Sequence, residues 1–400
     1  MAIRQINSGK AAGSDNIPAE ALKADVAVTA RILHILFNKI WDEEQVPKDW
    51  KEGLLIKIPK KGDLSKCDNY RSITLLSIPG KVFNRVLLNR MKGNVDAKLR
   101  DQQAGFRKDR SCTDQIATLR IILEQSMEWN SSLYINFIDY EKAFDSVDRT
   151  TLWKLLRHYS VPQKIVNVIQ NSYDGLNCKI VHGGQLTKSF EVKTGVRQGC
   201  LLSPFLFLLV TDWIMKTSTS EGKHGIQWTS RMQLDDLDFA DDLALLSQTQ
   251  QQMQEMTSVV AASAAVGLNI HKGKSKILRY NTACTNPVTL DGEDLEDVKT
   301  FTYLDSIIDG HGGSDADVKA RIGKASAAYL QLKDIWNSKQ LSTNTKVRIF
   351  NTNVKTVVLY GLETWRITKA IIQKMQMFIK SCLRKILRIR WINTISNNLL

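Results

Sequence analysis

Apolar residues recur along the chain at two spacings, and each spacing predicts one kind of element. Apolar side chains three and four residues apart predict amphipathic helices, while short runs rich in β-branched and aromatic residues predict strands. The predicted helices cover 19–41, 79–100, 113–128, 149–160, 162–173, a buried segment from about Ser203, and 250–266. The predicted strands cover 54–58, 133–140, 276–280 and 300–304, with two hairpins, one at 178–193 and one centred on Asp241.

The order of these elements predicts the class of fold. Strands and helices are mixed up to about residue 310, and beyond that point the apolar residues keep helix spacing. Such segregation is typical of an α+β fold followed by a helical appendage. A chain of 400 residues is long enough for two or three structural units with a substantial buried core.

The positive charge of the chain is concentrated near its end. The formal net charge is +14, and residues 318–400 contain 16 basic and two acidic side chains, which accounts for the whole excess. This distribution predicts a surface for a polyanion, with nucleic acid as the first expectation and a solvated helical face as the alternative. The densest patch is "KSCLRKILRIRW" (380–391), a basic amphipathic pattern that could also bind a membrane surface.

Several classes of protein are disfavoured. No uninterrupted apolar run reaches 18 residues, and the nearest candidate, 201–215, is interrupted by Ser203, Pro204 and Asp212 and predicts a buried helix. The first residues lack the apolar core of a signal peptide. The six cysteines are scattered without zinc-ligand spacing, which indicates reduced thiols. We therefore expect a nuclear or cytoplasmic protein that is neither secreted nor inserted in a membrane.

The segment "LDDLDFADDLALLS" (234–247) places five aspartates within a strand-like apolar pattern, where aspartate is depleted. The carboxyl groups could be protonated, paired with basic side chains, or bound to a hard cation. Arg231 is the one basic residue close in sequence. We expect the first three aspartates (Asp235, Asp236 and Asp238) to face water, and the pair at the hairpin tip (Asp241 and Asp242) to bind Mg²⁺, which takes oxygen ligands.

A third carboxylate is offered by "FIDYEKAFDSVD" (137–148). Asp139 ends an apolar strand, where an uncompensated carboxylate is costly. Two buried strands that end in aspartate at one edge of a sheet predict a two-metal site for phosphoryl displacement. A helix cap is the alternative for Asp139, and capping is the expected role of Asp145 and Asp148.

These segments occur in the order found in a known family. "GKAAGSDNIPAEALK" (9–23), "IPKKGD" (58–63), "NYRSITLLSIPGKVFNRVLLNRM" (69–91), "QAGFRKDRSCTDQI" (103–116), "FIDYEKAFDSVD", "GVRQGCLLSPFLF" (195–207), "FADD" (239–242), "GLNIHKGKSK" (267–276) and "FTYLDS" (301–306) carry the resemblance. The chain resembles the reverse transcriptase domain of non-LTR (LINE-like) retrotransposons over about residues 1–390.

The resemblance implies roles for individual residues. Asp139, Asp241 and Asp242 would bind two Mg²⁺ ions, with Mn²⁺ as a possible substitute, and Lys274 would protonate the leaving pyrophosphate. The residues that would contact the incoming nucleotide or the nascent base pair are Arg71 and Lys60 at the triphosphate, Phe144 as the gate against a ribose 2′-hydroxyl, and Gln198 with Gly199 at the base pair. The basic residues of 103–116 would line the template path.

The resemblance also implies a right-hand polymerase architecture. Residues 1–50 would form an N-terminal helical extension, 51–310 the fingers and palm, and 311–400 a basic helical thumb, expected to be truncated, that grips the template–primer duplex. The expected partners are an RNA template, a DNA primer and dNTPs, with an endonuclease fused to or paired with the domain in the full-length element.

One departure from the family pattern keeps a second function open. The sequence has Asp305 where the family commonly has glycine, and a carboxylate there could strain the turn and repel primer phosphate. An RNA-directed DNA polymerase is the main hypothesis, and a weak or inactive nucleic-acid-binding remnant is the alternative. A metal nuclease is disfavoured because the fingers segment, Gln198 and the 301–306 hairpin would then have no role.

Overall fold

The computed structural model describes residues 2–9, 11–60, 62–219, 224–229, 232–310 and 312–389. The helices are α1 Ala19–Ala24, α2 Val26–Glu43, α3 Ile78–Asp96, α4 Cys112–Glu128, α5 Ala143–Ser146, α6 Arg149–His158, α7 Gln163–Tyr173, α8 Ser203–Ser218, α9 Gln250–Met256, α10 Val259–Ala265, α11 Asp315–Gln331, α12 Lys333–Asn337, α13 Thr343–Phe350, α14 Thr356–Leu359 and α15 Lys369–Ile386.

The strands form two larger sheets and three short hairpins. The strands are β1 Glu52–Pro59, β2 Tyr70–Leu75, β3 Leu133–Ile138, β4 Asn177–His182, β5 Gln185–Leu186, β6 Phe190–Glu191, β7 Ile226–Gln227, β8 Gln233–Leu234, β9 Asp236–Phe239, β10 Asp242–Ser247, β11 Lys276–Tyr280, β12 Thr289–Leu290, β13 Glu293–Asp294, β14 Glu296–Asp297, β15 Thr300–Tyr303 and β16 Ser306–Asp309. One sheet has the order β2-β1-β4-β5 with β6 beside β4, and the other has the order β14-β11-β3-β10-β9.

The second sheet is the centre of the molecule. Strand β3 lies between β10 and β11, antiparallel to both, and each of its six residues is buried. One face, with Tyr134, Ile138 and Leu245, packs in the core beneath α6, α7 and α8. The other face, with Ile135 and Phe137, packs against the β15–β16 hairpin and α4. This double burial is why β3 is a continuous apolar run.

The predicted elements are confirmed in kind, with changes at their ends. Asp148 caps α6 as expected, because its carboxylate accepts a hydrogen bond from the Thr151 backbone N–H at 2.6 Å. The predicted helix at 19–41 is two helices, because Asp25 has an extended backbone and caps α2. The helix predicted at 250–266 is also two helices, α9 and α10. Asp145 lies inside α5 rather than at its cap, so the capping role expected for it is wrong.

The helices from Asp315 onward bury a core of their own. Val318, Phe350, Val354 and Ile386 are central to it. The domain boundaries predicted at 50 and 310 stay predictions. None of the described helices is both long and apolar enough to span a bilayer. The predicted basic patch at 380–391 is helical as far as Ile386, and its last two residues lie outside the described part of the chain.

Candidate active site

Antiparallel pairing brings two distant aspartates to the same place. In the β3–β10 ladder Ile138 lies opposite Leu243, so the register brings the next residues along, Asp139 and Asp242, toward each other, and their charges interact. Side chains paired in this way have Cβ atoms about 5 Å apart. Asp139 and Asp242 therefore meet at one end of the sheet, as the two-metal prediction requires.

The tip of the β9–β10 hairpin carries Asp241. Phe239 pairs with Asp242, which leaves Ala240 and Asp241 as a two-residue loop. Ala240 has φ +60°, a conformation that favours glycine and that costs other residues of order 1 kcal/mol or more. The surrounding contacts must therefore hold this turn.

The alternation of the strands separates the aspartates of the hairpin into two groups. Asp139 and Asp242 share the sheet face of Phe137 and Ala244, whereas Asp236 and Asp238 share the opposite face. Asp242 is thus directed toward the side of the sheet that also carries the β15–β16 hairpin.

Lys274 lies at the same site. It sits on the turn before β11, and its Nζ is 3.1 Å from Oδ2 of Asp139. The lysine side chain is 63% exposed and the aspartate side chain 36%, so both groups are open to a ligand. The predicted catalytic set of Asp139, Asp241, Asp242 and Lys274 therefore converges from three segments.

The electrostatics of the tip pair leave room for a cation. Burial, followed by the charges of Asp241 and Asp139, raises the pKa of Asp242 to about 7. Burial and the charge of Asp139 also raise the pKa of Asp241, against the opposing effect of Arg71. Among the described residues, neither Asp241 nor Asp242 forms an ion pair with a basic side chain.

The donor set fits a hard cation in chemistry but is not arranged around one. The three aspartates supply only carboxylate oxygens, the ligands that Mg²⁺ prefers. Within the described ranges, no three acidic, histidine or cysteine side chains form a ready metal cage. The ammonium of Lys274 supplies positive charge beside Asp139 in this arrangement.

Three of the residues predicted to meet the nucleotide interact with two carboxylates, Asp241 at the hairpin tip and Asp145 on α5. Arg71 is exposed on β2 and interacts electrostatically with Asp241. Gln198 donates a side-chain hydrogen bond to Asp145 at 3.5 Å, and Lys60 also interacts with that carboxylate. Burial raises the pKa of Asp145, while Gln198 and the nearby lysines oppose the rise. A contact with Gln198 thus replaces the capping role expected for Asp145.

Phe144 and Gly199 are each fixed by packing. The Phe144 ring is partly buried and stacks on Phe207, with centroids 4.6 Å apart. Gly199 has φ +93°, and a Cβ there would lie 2.8 Å from the Ile73 side chain and 2.9 Å from the Thr74 carbonyl oxygen. Only glycine fits this close approach between the 195–202 loop and β2.

The expectation that Asp235, Asp236 and Asp238 face water is wrong. Asp236 and Asp238 are fully buried, and Asp235 is 9% exposed. Nη2 of Arg100 donates to both carboxylate oxygens of Asp236, and Nη1 lies 3.5 Å from Oδ2 of Asp238. The neutralising group thus comes from a residue 136 positions away, whereas Arg231 lies outside the described residues.

A further aspartate completes this buried network. Asp212 of α8 is fully buried and accepts hydrogen bonds from the Arg100 backbone N–H at 2.8 Å and from the Tyr159 hydroxyl. Lys216 lies 3.0 Å from the same carboxylate. Burial and the charge of Asp236 raise the pKa of Asp238 well above its usual range, against the opposing effect of Arg100. The only sequence signal for Asp212 is a lone acid inside an apolar helix.

Asp305 is compensated by two cations of α11. Leu304 and Asp305 have φ +47° and +66°, so the β15–β16 turn does use the left-handed region. The Asp305 carboxylate lies 2.7 Å from Nη1 of Arg321 and also accepts from Lys324. Partial burial alone would raise the pKa of Asp305, but Lys324 and Arg321 outweigh it and hold the pKa below its usual value. The expected repulsion is therefore offset within the protein.

Some of the positive charge near the chain end is structural. Arg321 is 3% exposed, and Lys346 is 6% exposed, with its ammonium donating to the carbonyl oxygens of Trp336 and Ser338. These two cations are buried in the helical unit formed by residues 315–386. The number of basic residues counted in the sequence therefore overstates the positive charge that can face a polyanion.

Comparison with known families gives a match that spans the site. The model of a family described as reverse transcriptase (RNA-dependent DNA polymerase) matches residues 58–308, more than half of the chain. A model described as a domain of unknown function matches residues 328–360. The first match includes every predicted site residue.

Relatives among curated proteins belong to mobile elements. The Pol polyprotein of the type-2 retrotransposable element R2DM of Drosophila melanogaster is 28% identical over 68% of this chain and 25% of its own length. The RNA-directed DNA polymerase from the mobile element jockey of the same species is 23% identical over 96% of this chain and 42% of its own length. The chain therefore spans about a quarter of the first relative and about two fifths of the second.

Solved structures support the fold. Apo telomerase from Candida tropicalis matches with a TM-score of 0.51 and 14% identity, over 89% of this chain and 64% of that one. The same enzyme in complex with a fragment of telomeric RNA matches with a TM-score of 0.50 and 13% identity, over 87% and 56%. The α+β arrangement and these matches confirm the predicted right-hand polymerase fold.

Proposed function

The chain belongs to the reverse transcriptase (RNA-dependent DNA polymerase) family, and on this premise we propose that it extends a DNA primer on an RNA template by two-metal nucleotidyl transfer. The convergence of Asp139 with the Asp241–Asp242 tip is the observation that carries the proposal. The polymerase relatives, which come from retrotransposons, support a role in such an element.

Asp139, Asp241 and Asp242 would hold the divalent ions, with Mg²⁺ as the first choice and Mn²⁺ as a substitute. Bound there, the ions would stabilise the attacking 3′-oxygen and the leaving oxygen of the triphosphate. The raised pKa values of Asp241 and Asp242 support this assignment, because a cation would relieve the cost of keeping both carboxylates charged.

The surrounding residues would bind and orient the nucleotide. Arg71 would contact the triphosphate from β2, with Lys60 nearby. Lys274 would exchange its ion pair with Asp139 for the pyrophosphate and give it a proton. Gln198, held by Asp145, would support the nascent base pair beside Gly199, and Phe144 would close the space next to the sugar. The Lys274–Asp139 ion pair, the interaction of Arg71 with Asp241 and the Gln198–Asp145 hydrogen bond support the proposed roles.

The partners follow from the same proposal. The RNA template and DNA primer would lie against the exposed basic side chains of the helical unit, and dNTPs would enter beside β2. An endonuclease would act with this domain in the full-length element, in the nucleus or the cytoplasm. The support that Asp305 gave to the inactive remnant is weakened, because Arg321 and Lys324 pair with its carboxylate.

Primer extension tests the proposal. With poly(rA)/oligo(dT) and dTTP, the protein should extend primers only when Mg²⁺ or Mn²⁺ is present, and Asp241→Ala should abolish extension while the circular dichroism spectrum stays unchanged. The matched control is Asp294→Ala, which removes an exposed aspartate of β13 and should keep full activity. Extension that survives Asp241→Ala would refute the assigned site.

A further inference from the structure

The Ala240–Asp241 turn, proposed above to bind metal, is contacted by residues 102–105, for which the sequence predicted neither a helix nor a strand. Residues 102–105 run beside β9. Gln103 pairs with Asp238 in a parallel bridge, and the Ala104 N–H donates to the Asp238 carbonyl at 2.9 Å. The segment therefore acts as an additional edge of the sheet at the point where β9 enters the turn.

The side chain of Gln103 reaches the turn itself. The residue is fully buried, and its Oε1 accepts a hydrogen bond from the Ala240 N–H at 3.0 Å and another from the Gly105 N–H at 2.8 Å. Its Nε2 donates to the Thr211 hydroxyl at 3.3 Å, which fixes the orientation of the amide. Ala240 is the residue with φ +60°, so this hydrogen bond acts on the strained position of the loop.

Gly105 fits the segment closely against the same residue. A Cβ at Gly105 would lie 2.2 Å from the Ala240 backbone nitrogen, a distance that no side chain could occupy without moving the turn. The turn therefore packs directly on this backbone, and the Gln103 amide is the buried polar group that holds it there.

We propose that Gln103 is a positioning residue for the metal-binding turn. By accepting the Ala240 N–H, its side chain keeps the Ala240–Asp241 loop in the left-handed conformation that directs the Asp241 and Asp242 carboxylates toward Asp139. The metal role rests on the proposed function, whereas the hold on the turn does not.

A matched pair of glutamines tests the idea. Gln115 is also buried, at 6% exposure, and its Nε2 donates to the carbonyl oxygens of Gln102 and Asp238 at 2.8 and 3.2 Å. Gln115 therefore also contacts the 102–105 segment and β9, but it makes no contact with the Ala240 N–H. Gln103→Met and Gln115→Met should therefore lose comparable stability, and only the first should loosen the turn.

The readout is hydrogen exchange of the Ala240 amide in the full chain, followed by Mn²⁺ binding measured by electron paramagnetic resonance. In Gln103→Met the Ala240 amide should exchange about tenfold faster, since it has lost its acceptor. Mn²⁺ should bind several-fold more weakly, and in primer extension kcat should fall while KM for dTTP stays unchanged. Gln115→Met should leave the Ala240 exchange rate, the Mn²⁺ affinity, kcat and KM at the wild-type values.

Unchanged exchange at Ala240 in Gln103→Met, or an equal increase in Gln115→Met, would overturn the proposal. If Gln103→Met does not fold, Thr211→Val decides the question. This isosteric change removes the hydroxyl that holds the Gln103 amide, so the hydrogen exchange rate of the Ala240 amide should rise about two- to threefold. An unaltered exchange rate would overturn the proposal. A wild-type protein that extends no primer would refute the polymerase function, while the exchange comparison would still decide the role of Gln103.

Discussion

Removing the charge of Arg100 should destabilise the fold far more than its single position suggests. The Arg100 side chain is 10% exposed, and it faces Asp236 and Asp238, which are both fully buried. Arg100→Met keeps an unbranched apolar stem in place of the arginine methylenes but leaves buried carboxylates without their cation, which typically costs about 3–5 kcal/mol. This is a large part of the roughly 5–15 kcal/mol that holds a domain folded.

Urea unfolding followed by circular dichroism measures the effect. Arg110→Met is the matched control, because Arg110 pairs at 3.2 Å with Asp101 on the surface of the same segment, with side chains 41% and 90% exposed, and should cost at most about 1 kcal/mol. The double variant Arg100→Met/Asp236→Leu removes the Arg100–Asp236 pair but leaves Asp238 buried, so it should recover part of the lost stability.

The cost should also depend on pH. Without Arg100 the folded-state pKa values of the buried carboxyls must rise, so below those values the folded variant binds more protons than the unfolded chain does. Its stability relative to wild type then increases as pH falls, and the loss at pH 8 should shrink by pH 5. A loss below about 1 kcal/mol at pH 8, or one equal at both pH values, would refute the reasoning.

Three further results are expected. Burial, followed by the neighbouring carboxylates, raises the pKa of Asp242 to about 7, so Mn²⁺ affinity measured by calorimetry should fall by up to about tenfold per pH unit below 7. Asp242→Asn should remove this pH dependence, and equal affinity at pH 6 and pH 8 would contradict the prediction. Asp305→Asn keeps a residue that tolerates the turn but loses the pairs with Arg321 and Lys324, so urea unfolding should show a loss of about 1–2 kcal/mol, and a gain would count against the pairing. Phe144→Ala should increase ribonucleotide incorporation per active site in primer extension; unchanged sugar discrimination would remove the proposed gate.

The sequence predicted those parts of the molecule that depend on local pattern. Strand β3 was recognisable as a continuous apolar run, and the caps and turns set most element ends. The convergence of Asp139 with Asp242 was also predictable, because two buried strands that each meet an aspartate at one end must bring the carboxylates together if they pair. Pairing in antiparallel register did so here.

The remaining aspartates could not be assigned from local pattern. Asp235, Asp236 and Asp238 were expected to face water because Arg231, the one basic residue close in sequence, could not neutralise five acids. Arg100, which pairs with Asp236 and Asp238, is more than 130 residues away in the sequence. Gln103 opens the 103–116 motif, but its contact with the turn could not be predicted for a different reason, since it depends on one backbone N–H that is also distant in sequence. Long-range contacts between single residues leave no periodicity to read.

The two groups of aspartates on the β9–β10 hairpin explain why these distant contacts matter for the site. Side chains alternate between the faces of a strand, so a shift of one residue in the pairing would exchange the tip carboxylates with those held by Arg100. Arg100 holds Asp236 on one face, the 102–105 segment pairs with the Asp238 backbone, and Gln103 holds Ala240 at the tip. These contacts fix the register from one continuous segment. We therefore expect that changes in residues 100–105 alter stability and metal binding together, although none of these residues faces the proposed metal ions.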